Sequence, residues 1–458
     1  MNLDLVVRSR RIVLPGGECD GAIGVRDGRI AGIYGPDAVP SAAERIDAGD
    51  RPVIPGLVDT HAHFRDPGYT HKEDFETGTR SAAAGGVTTV LDMPNVDPPT
   101  NTVGRFEAHI ANAAGKALID FGHNAAGIDR GEIAGLAAAG ATAFKIFMMK
   151  DVARDYPHVP GTAVSDHGEL FRLFQEIAAT GKVVMVHPHD QSLYEEFVRD
   201  HWSRGERGVE AYAKAWREGD GAVLDLAIGA LIELQRITGV RLHILHCSTR
   251  RSFEWIRAAR ARGQTVTCEL NPFSLFLSNS WERVLRLGPY ALGMWVPEID
   301  AAAAWAALQD GTADVVATDH SPHTREEKEI GWTDMFKAPG GTPMIQHYLS
   351  LFLTEVAHGR LGLGRLVEVC CAGPARLVGL YPRKGLIAPG SDADLVVLDP
   401  GRRETITAAR SHYKCGWTPF EGREVVGVPS IVIQRGRVIA RDGEVFARPG
   451  DGRFVRAD

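Results

Sequence analysis

The sequence predicts an α/β protein: a (β/α)8 TIM barrel with a small β-sandwich domain formed by the N- and C-terminal segments. Three observations predict it. The middle of the chain alternates short apolar runs with longer Ala-, Leu- and Glu-rich helical stretches, the rhythm of βα repetition around a parallel sheet. Both ends carry short strand signals separated by Gly and Asp-Gly turns instead. No GxGxxG follows a first strand, so a dinucleotide-type open sheet lacks its usual signal, and the count and length of the repeats suit a closed barrel.

At the N-terminus, residues 3–7, 11–14, 22–25 and 30–34 read as strands. The same style returns at 392–398 and 431–440, with turns at Gly390 and Gly436. Residues 1–52 and 386–458 are therefore assigned to the sandwich, and 53–385 to a metal-dependent barrel. Within the barrel the buried-strand candidates are 87–93, 117–121, 141–147, 183–186, 241–245, 265–269 and 315–317. No low-complexity linker and no solenoid-length repeat interrupts them.

Composition narrows the partners. The 458 residues are 44% hydrophobic and 24% charged, enough for one large catalytic domain and a smaller one. The net charge of −7 comes without any Lys/Arg stripe interleaved with aromatics, which excludes nucleic acid as a partner. The start of the chain has no apolar core long enough for a signal peptide, and nowhere do about 18 uncharged apolar residues run together. No membrane association and a cytoplasmic location are expected. Six scattered cysteines without a CxxC pair read as reduced thiols rather than a disulfide frame or zinc knuckle. Cys247, though close to the chemistry below, is read as packing.

Metal-ligating side chains recur where the buried strands end. In PGLVDTHAH (55–63), strand alternation puts His61 and His63 on one face about 7 Å apart, so both can reach one cation. Lys145 stands in the apolar stretch GATAFKIFMM (140–149), where a lone ammonium costs several kcal/mol unless paired or modified. It either pairs with an acid or has reacted with CO2 to give a two-oxygen carbamate able to bridge two metals. His187 follows 183–186, and His246 follows 242–245. By period-2 parity His246 shares a face with Leu242 and Ile244, which turns His243 toward the helix layer, and His189 is read as pocket wall. Asp319, in VVATDHSPH (315–323), would stay ionised beside two dications and could take a proton from water. Any one of these could be a satisfied buried polar group. Five in order, each closing a different strand, argue jointly against that.

Together these stretches resemble the amidohydrolase superfamily, and within it the cyclic amidohydrolases: dihydroorotases, allantoinases, hydantoinases and dihydropyrimidinases. The resemblance covers nearly the whole chain: PGLVDTHAHFRDPG, ETGTRSAAAGGVTTVLDMPN, GATAFKIFMM, VMVHPHD, ILHCST, ATDHSPH, GLIAPGSDADLVVLDP and TPFEG. It implies a metal-dependent hydrolase that opens a cyclic amide or ureide ring by a metal-bridged hydroxide, with two divalent ions, zinc the expected one. His61, His63 and Asp319 would hold the more buried ion and His187 and His246 the other, bridged by N6-carboxylysine at Lys145. Asp319 would also be the catalytic acid and base. Family habit implies a homo-oligomer, dimer or tetramer.

Substrate is read from weaker signals. Arg65, Asn95 and His323 match positions that hold the substrate carboxylate in dihydroorotases, and such donors suit an acid. The Asn-Pro-Pro-Leu-Arg-like loop of those enzymes is absent, however: residues 294–299 read MWVPEI. Residues 359–385 are worded more like hydantoinases and allantoinases. The expected small-molecule substrate is a hydantoin- or dihydropyrimidine-like ring, acid-bearing or not, with dihydroorotase and allantoinase as alternatives. A non-catalytic dihydropyrimidinase-like scaffold protein and a single-metal deaminase are the readings from other classes. Arg65 could instead pair with Asp66, and Asn95 could cap a turn. If Trp295 and Glu298 line the pocket, Glu298 would favour a ring N–H donor.

Overall fold

The computed structural model describes residues 3–158, 162–291 and 294–457; Met1, Asn2 and Asp458, at the ends of the expected sandwich segments, lie outside them. The N-terminal segment contributes strands β1 (Leu3–Leu14), β2 (Gly17–Arg26), β3 (Arg29–Tyr34), β4 (Ala42–Asp47) and β5 (Val53–Pro55). A bulge between Ser9 and Ile12 lets β1 run on as one strand where the sequence signals two, because the extra residue absorbs the Arg-rich interruption without ending the ladder.

The barrel strands follow: β6 (Leu57–Ala62), β7 (Val87–Asp92), β8 (Asp120–His123), β9 (Ala125–Ala126), β10 (Ala143–Phe147), β11 (Val183–His187), β12 (Arg241–Ile244), β13 (Val266–Leu270) and β14 (Val315–Val316). The run β6-β7-β8 and the run β9 to β14 are parallel throughout. β8 and β9 are two pieces of the third barrel strand, parted at Asn124, whose side chain donates to Thr60 O at 3.1 Å. The ring closes beyond β14, where Ala62 bridges His320 in parallel and the His63 N–H donates to His320 O at 2.7 Å. Helices pack outside, several started by side-chain caps: Asp74, Thr102, Asp166, Asp190 and Thr249. Each cap fixes where a βα loop stops, and those loops frame the site.

The C-terminal strands are β15 (Leu395–Thr405), β16 (Glu424–Gln434), β17 (Arg437–Arg441) and β18 (Glu444–Val445). β15 pairs with β5, and β5 with β1, so the two ends of the chain share one nine-stranded sheet. Strands from both ends of the chain share a core that includes Leu5, Val7, Ile23, Val25, Val397, Ile431 and Ile433. Gly436, in the β16–β17 turn, lies so close to Val25 that a Cβ there would sit 2.7 Å from its side chain. This is the sandwich, packed against the barrel.

A buried charge cluster fastens the two. The Lys384 ammonium donates to Asp120 at 2.6 Å and to Asp394 at 2.7 Å, with Asp392 at 3.0 Å, and Arg435 pairs with Asp120 from the β16–β17 turn. Lys384→Ala leaves these carboxylates buried without their shared cation. A loss of about 3–5 kcal/mol is expected, read as a lower denaturation midpoint with unchanged metal content.

Candidate metal centre

All six sequence-predicted ligands converge at the C-terminal end of the barrel. His61 lies in β6 and His63 just past it; Lys145 is in β10, His187 ends β11, and His246 and Asp319 follow β12 and β14. The Nε2 atoms of His61 and His63 each stand 3.2 Å from the same Asp319 oxygen. His246 Nε2 lies 2.9 Å from His187 Nδ1, and the His61 and His246 rings are 6.0 Å apart. His61, His63, Lys145, His187 and Asp319 line one cleft.

The other nitrogens of the first pair are tied down. His61 Nδ1 meets Glu269 at 2.8 Å and His63 Nδ1 meets Asn95 Oδ1 at 2.6 Å. Both partners accept, so each Nδ1 carries the hydrogen and each Nε2 presents a lone pair toward Asp319, the arrangement found behind metal-bound imidazoles. Burial pushes His63 down to about 3 and His246 to about 4, and holds His187 well below the usual imidazole range. Burial opposes ionisation of Asp319, but the imidazoles of His61 and His63 outweigh it and hold the carboxyl below its ordinary range. Weakly basic rings at His63, His187 and His246 beside an ionised carboxylate suit a cation.

Lys145 Nζ and His187 Nε2 are buried without a hydrogen-bond partner. Burial pushes Lys145 down to about 8, against the pull of Asp319 and Glu269. Such orphaned atoms call for an ion or a modification to complete them, and the donor set of imidazole, carboxylate and lysine fits divalent metal. Arg65, His246 and Asp319 all have positive φ (64°, 38° and 49°), a backbone cost that side chains meet where function over-determines the geometry.

The structure corrects the parity assigned to β12. His243 pairs in register with Met185 and Thr267, and Met185 in turn with Lys145. It faces into the barrel, where its Nδ1 meets Thr267 Oγ1 at 2.9 Å and its Nε2 lies 3.7 Å from Glu269. Leu242 and Ile244 pack outward in the main core. His246 lies past the strand with left-handed φ, so alternation does not carry through to it. His189 is not in the cleft wall but behind it, fully buried between Tyr194 and Trp216 with ring centroids 4.8 Å from each. Cys247 is buried packing.

The three candidate substrate residues separate. Arg65 lines the cleft, is 1% exposed, and has no carboxylate in ion-pair reach among the described residues. Asp66 instead takes Lys116 at 2.8 Å and Asn112 at 2.9 Å. Asn95 also lines the cleft, but its oxygen holds His63 and its amide donates to Pro157 O at 3.2 Å. His323 is fully buried behind Arg65, with Nε2 2.9 Å from Gly340 O and 3.3 Å from the guanidinium. Neither Trp295, stacked near Trp281 at 4.8 Å, nor exposed Glu298 lines the cleft; Met294 does.

Sequence reasoning missed Glu269, whose carboxyl is held well below its usual range, burial opposing but His61 and His243 prevailing. It also missed His158, Tyr212 and Trp216 in the cleft wall. A buried acid ending the strand 266–270 was the available signal for Glu269. Among the described residues, two other groups could present ligand atoms together: Asp92, His109 and His123, and Asp120, Asp392 and Asp394. Lys384 already fills the second.

A family model described as the amidohydrolase family matches residues 53–439. An L-hydantoinase of Paenarthrobacter aurescens is 36% identical, covering 99% of this chain and 98% of its own. A dihydroorotase of Halobacterium salinarum is 37% identical, over 94% and 97%. The solved structure described as L-hydantoinase (dihydropyrimidinase) from Arthrobacter aurescens superposes with a TM-score of 0.93 at 35% identity, covering 99% of this chain and all of that one.

Proposed function

The chain belongs to the amidohydrolase family, and from that premise we propose that it hydrolyses the C–N bond of a cyclic amide or ureide, a hydantoin- or dihydropyrimidine-like ring. The observation that carries the proposal is the convergence of His61, His63, Lys145, His187 and Asp319 on one cleft, with His246 against His187 and the Nε2 atoms of His61 and His63 turned toward Asp319. We take residues 53–385 as the catalytic barrel and 1–52 with 386–458 as the sandwich domain, and expect a homodimer or homotetramer.

His61, His63 and Asp319 would hold one divalent ion and His187 and His246 a second, zinc in both cases, with Lys145 bridging them as a carbamate. A neutral buried amine can add to carbon dioxide, forming an N–C bond and releasing one proton, and a Lys145 pushed down to about 8 is neutral often enough to do so. When bound, the ions supply Lewis acidity, which lowers the pKa of water and polarises a carbonyl. Asp319 would take the proton of the attacking water on a carboxylate oxygen and return it to the ring nitrogen as the C–N bond breaks. Glu269 and Asn95 hold the His61 and His63 rings in the required tautomer and direction. Phe147, Met149, Tyr212 and Trp216 give the ring an apolar wall.

Relatives that resemble this chain equally well carry hydantoinase and dihydroorotase names, so identity does not choose the ring. One observation favours an acid-bearing substrate: the Arg65 guanidinium, with its Nη1 atom buried and unpaired. Arg65 would receive the acid directly, with His323 and Asn95 supporting it and the centre from behind. Arg65→Met is expected to cost acidic rings about 2–5 kcal/mol in kcat/KM and to leave neutral hydantoins and dihydrouracil nearly unaffected. Equal losses on both would mean that Arg65 supports the fold. The scaffold reading is disfavoured by the intact ligand set, and the single-metal reading by Lys145.

The test is a panel of dihydroorotate, allantoin, dihydrouracil and 5-substituted hydantoins with metal-loaded enzyme, alongside metal counting. Two ions per chain and opening of at least one ring are expected. No ring opened, or one ion per chain, would reject the proposal.

A further inference from the structure

The segment after β10 brings a second histidine to the cleft. Asp151, its carboxylate 1% exposed, accepts from His158 twice: from Nδ1 at 3.0 Å and from the backbone N–H at 3.1 Å. Arg154 lies 2.8 Å from the other Asp151 oxygen and donates to Phe336 O at 2.7 Å, anchoring the segment to the far wall. The His158 ring lines the cleft and packs edge-on against Phe147 and His187, each at 5.3 Å.

A carboxylate can only accept, so the hydrogen sits on His158 Nδ1 and the Nε2 of the neutral ring is a lone pair. Two other residues of the cleft offer no free acceptor. Arg65 only donates, and the Asn95 oxygen is already taken by His63. A cyclic amide or ureide entering here brings ring N–H groups as well as carbonyls, and each N–H taken out of water needs an acceptor.

We infer that His158, oriented by Asp151, forms a hydrogen-bond-accepting subsite that takes a ring N–H of the substrate, so the enzyme prefers rings unsubstituted at that nitrogen. The inference rests on the ring-opening function proposed above. His158 touches substrate; Asp151 is a positioning residue acting through it.

The test compares wild type, His158→Leu and His158→Gln as metal-loaded holoenzyme on the best ring of the panel and on its two mono-N-methyl derivatives. Wild type is expected to lose about tenfold to a hundredfold in kcat/KM when one particular ring nitrogen is methylated. His158→Leu should lose a similar factor on the unmethylated ring, mostly in KM, and should no longer distinguish it from that N-methyl ring. His158→Gln, which keeps an acceptor oxygen, should recover part of the discrimination and guards against a Leu variant that folds poorly. Metal content should match wild type in both. Discrimination persisting unchanged in both variants overturns the subsite, as does metal loss in His158→Gln, which would assign the residue to the centre. If wild type opens no ring at all, the function itself fails and the subsite with it, an outcome distinct from opened rings with unchanged discrimination.

Discussion

Lys145→Ala is expected to purify without its full complement of metal and with turnover reduced by several orders of magnitude. The substitution removes the one group whose Nζ is buried at the centre without a partner, and with it the two oxygens that would bridge the ions. Adding metal with a short carboxylic acid should restore part of the activity, because a free carboxylate supplies the same pair of oxygens in the cavity left behind. Metal analysis and rates measured across a series of acids check this. A Lys145→Ala protein that binds two ions and turns over normally would remove the carbamate from the mechanism.

Asp319→Asn has the second large effect. The amide keeps the shape but cannot hold a proton in transit, and general acid–base catalysis alone is worth about 10²–10⁴ in rate. Loss of an anionic oxygen 3.2 Å from both His61 and His63 should weaken metal binding as well, so turnover is expected to fall beyond that range. Measuring kcat at saturating metal separates the two contributions. A variant within tenfold of wild type would require another proton carrier.

The candidate ligands were legible in the sequence because each sits within a few residues of an apolar strand, and apolar strands are readable from composition alone. What lies between strands was less so. The third barrel strand was sought at 117–121 and runs at Asp120–His123, because the residues before it are just as apolar but are buried by packing rather than by pairing. His243 was turned the wrong way because alternation assumes a continuous extended backbone, and His246 leaves it with a φ of 38°. His158 carries no local signal, and Glu269 only that of an acid near the end of a buried strand. Each matters through a partner far away in sequence, His61 for the one and the cleft wall for the other, and such pairings exist only once the barrel is closed. Asn95 and His323 were read as direct contacts to substrate; in the structure Asn95 Oδ1 meets His63 and His323 Nε2 meets Gly340 O, pairings that sequence does not show.

The strand Val53–Pro55 pairs on one side with β1 and on the other with Leu395–Val397, and this has a consequence for synthesis. As the chain leaves the ribosome, Val53, Ile54 and Pro55 expose an apolar edge whose second partner has yet to be made. At about 5–20 residues per second the wait is on the order of tens of seconds. The barrel can assemble in that interval, but the sheet joining both ends cannot. Truncations before residue 395 should therefore accumulate as aggregates rather than as a soluble barrel, and yield of the full-length protein should rise when translation is matched by chaperones that shield a nascent strand edge.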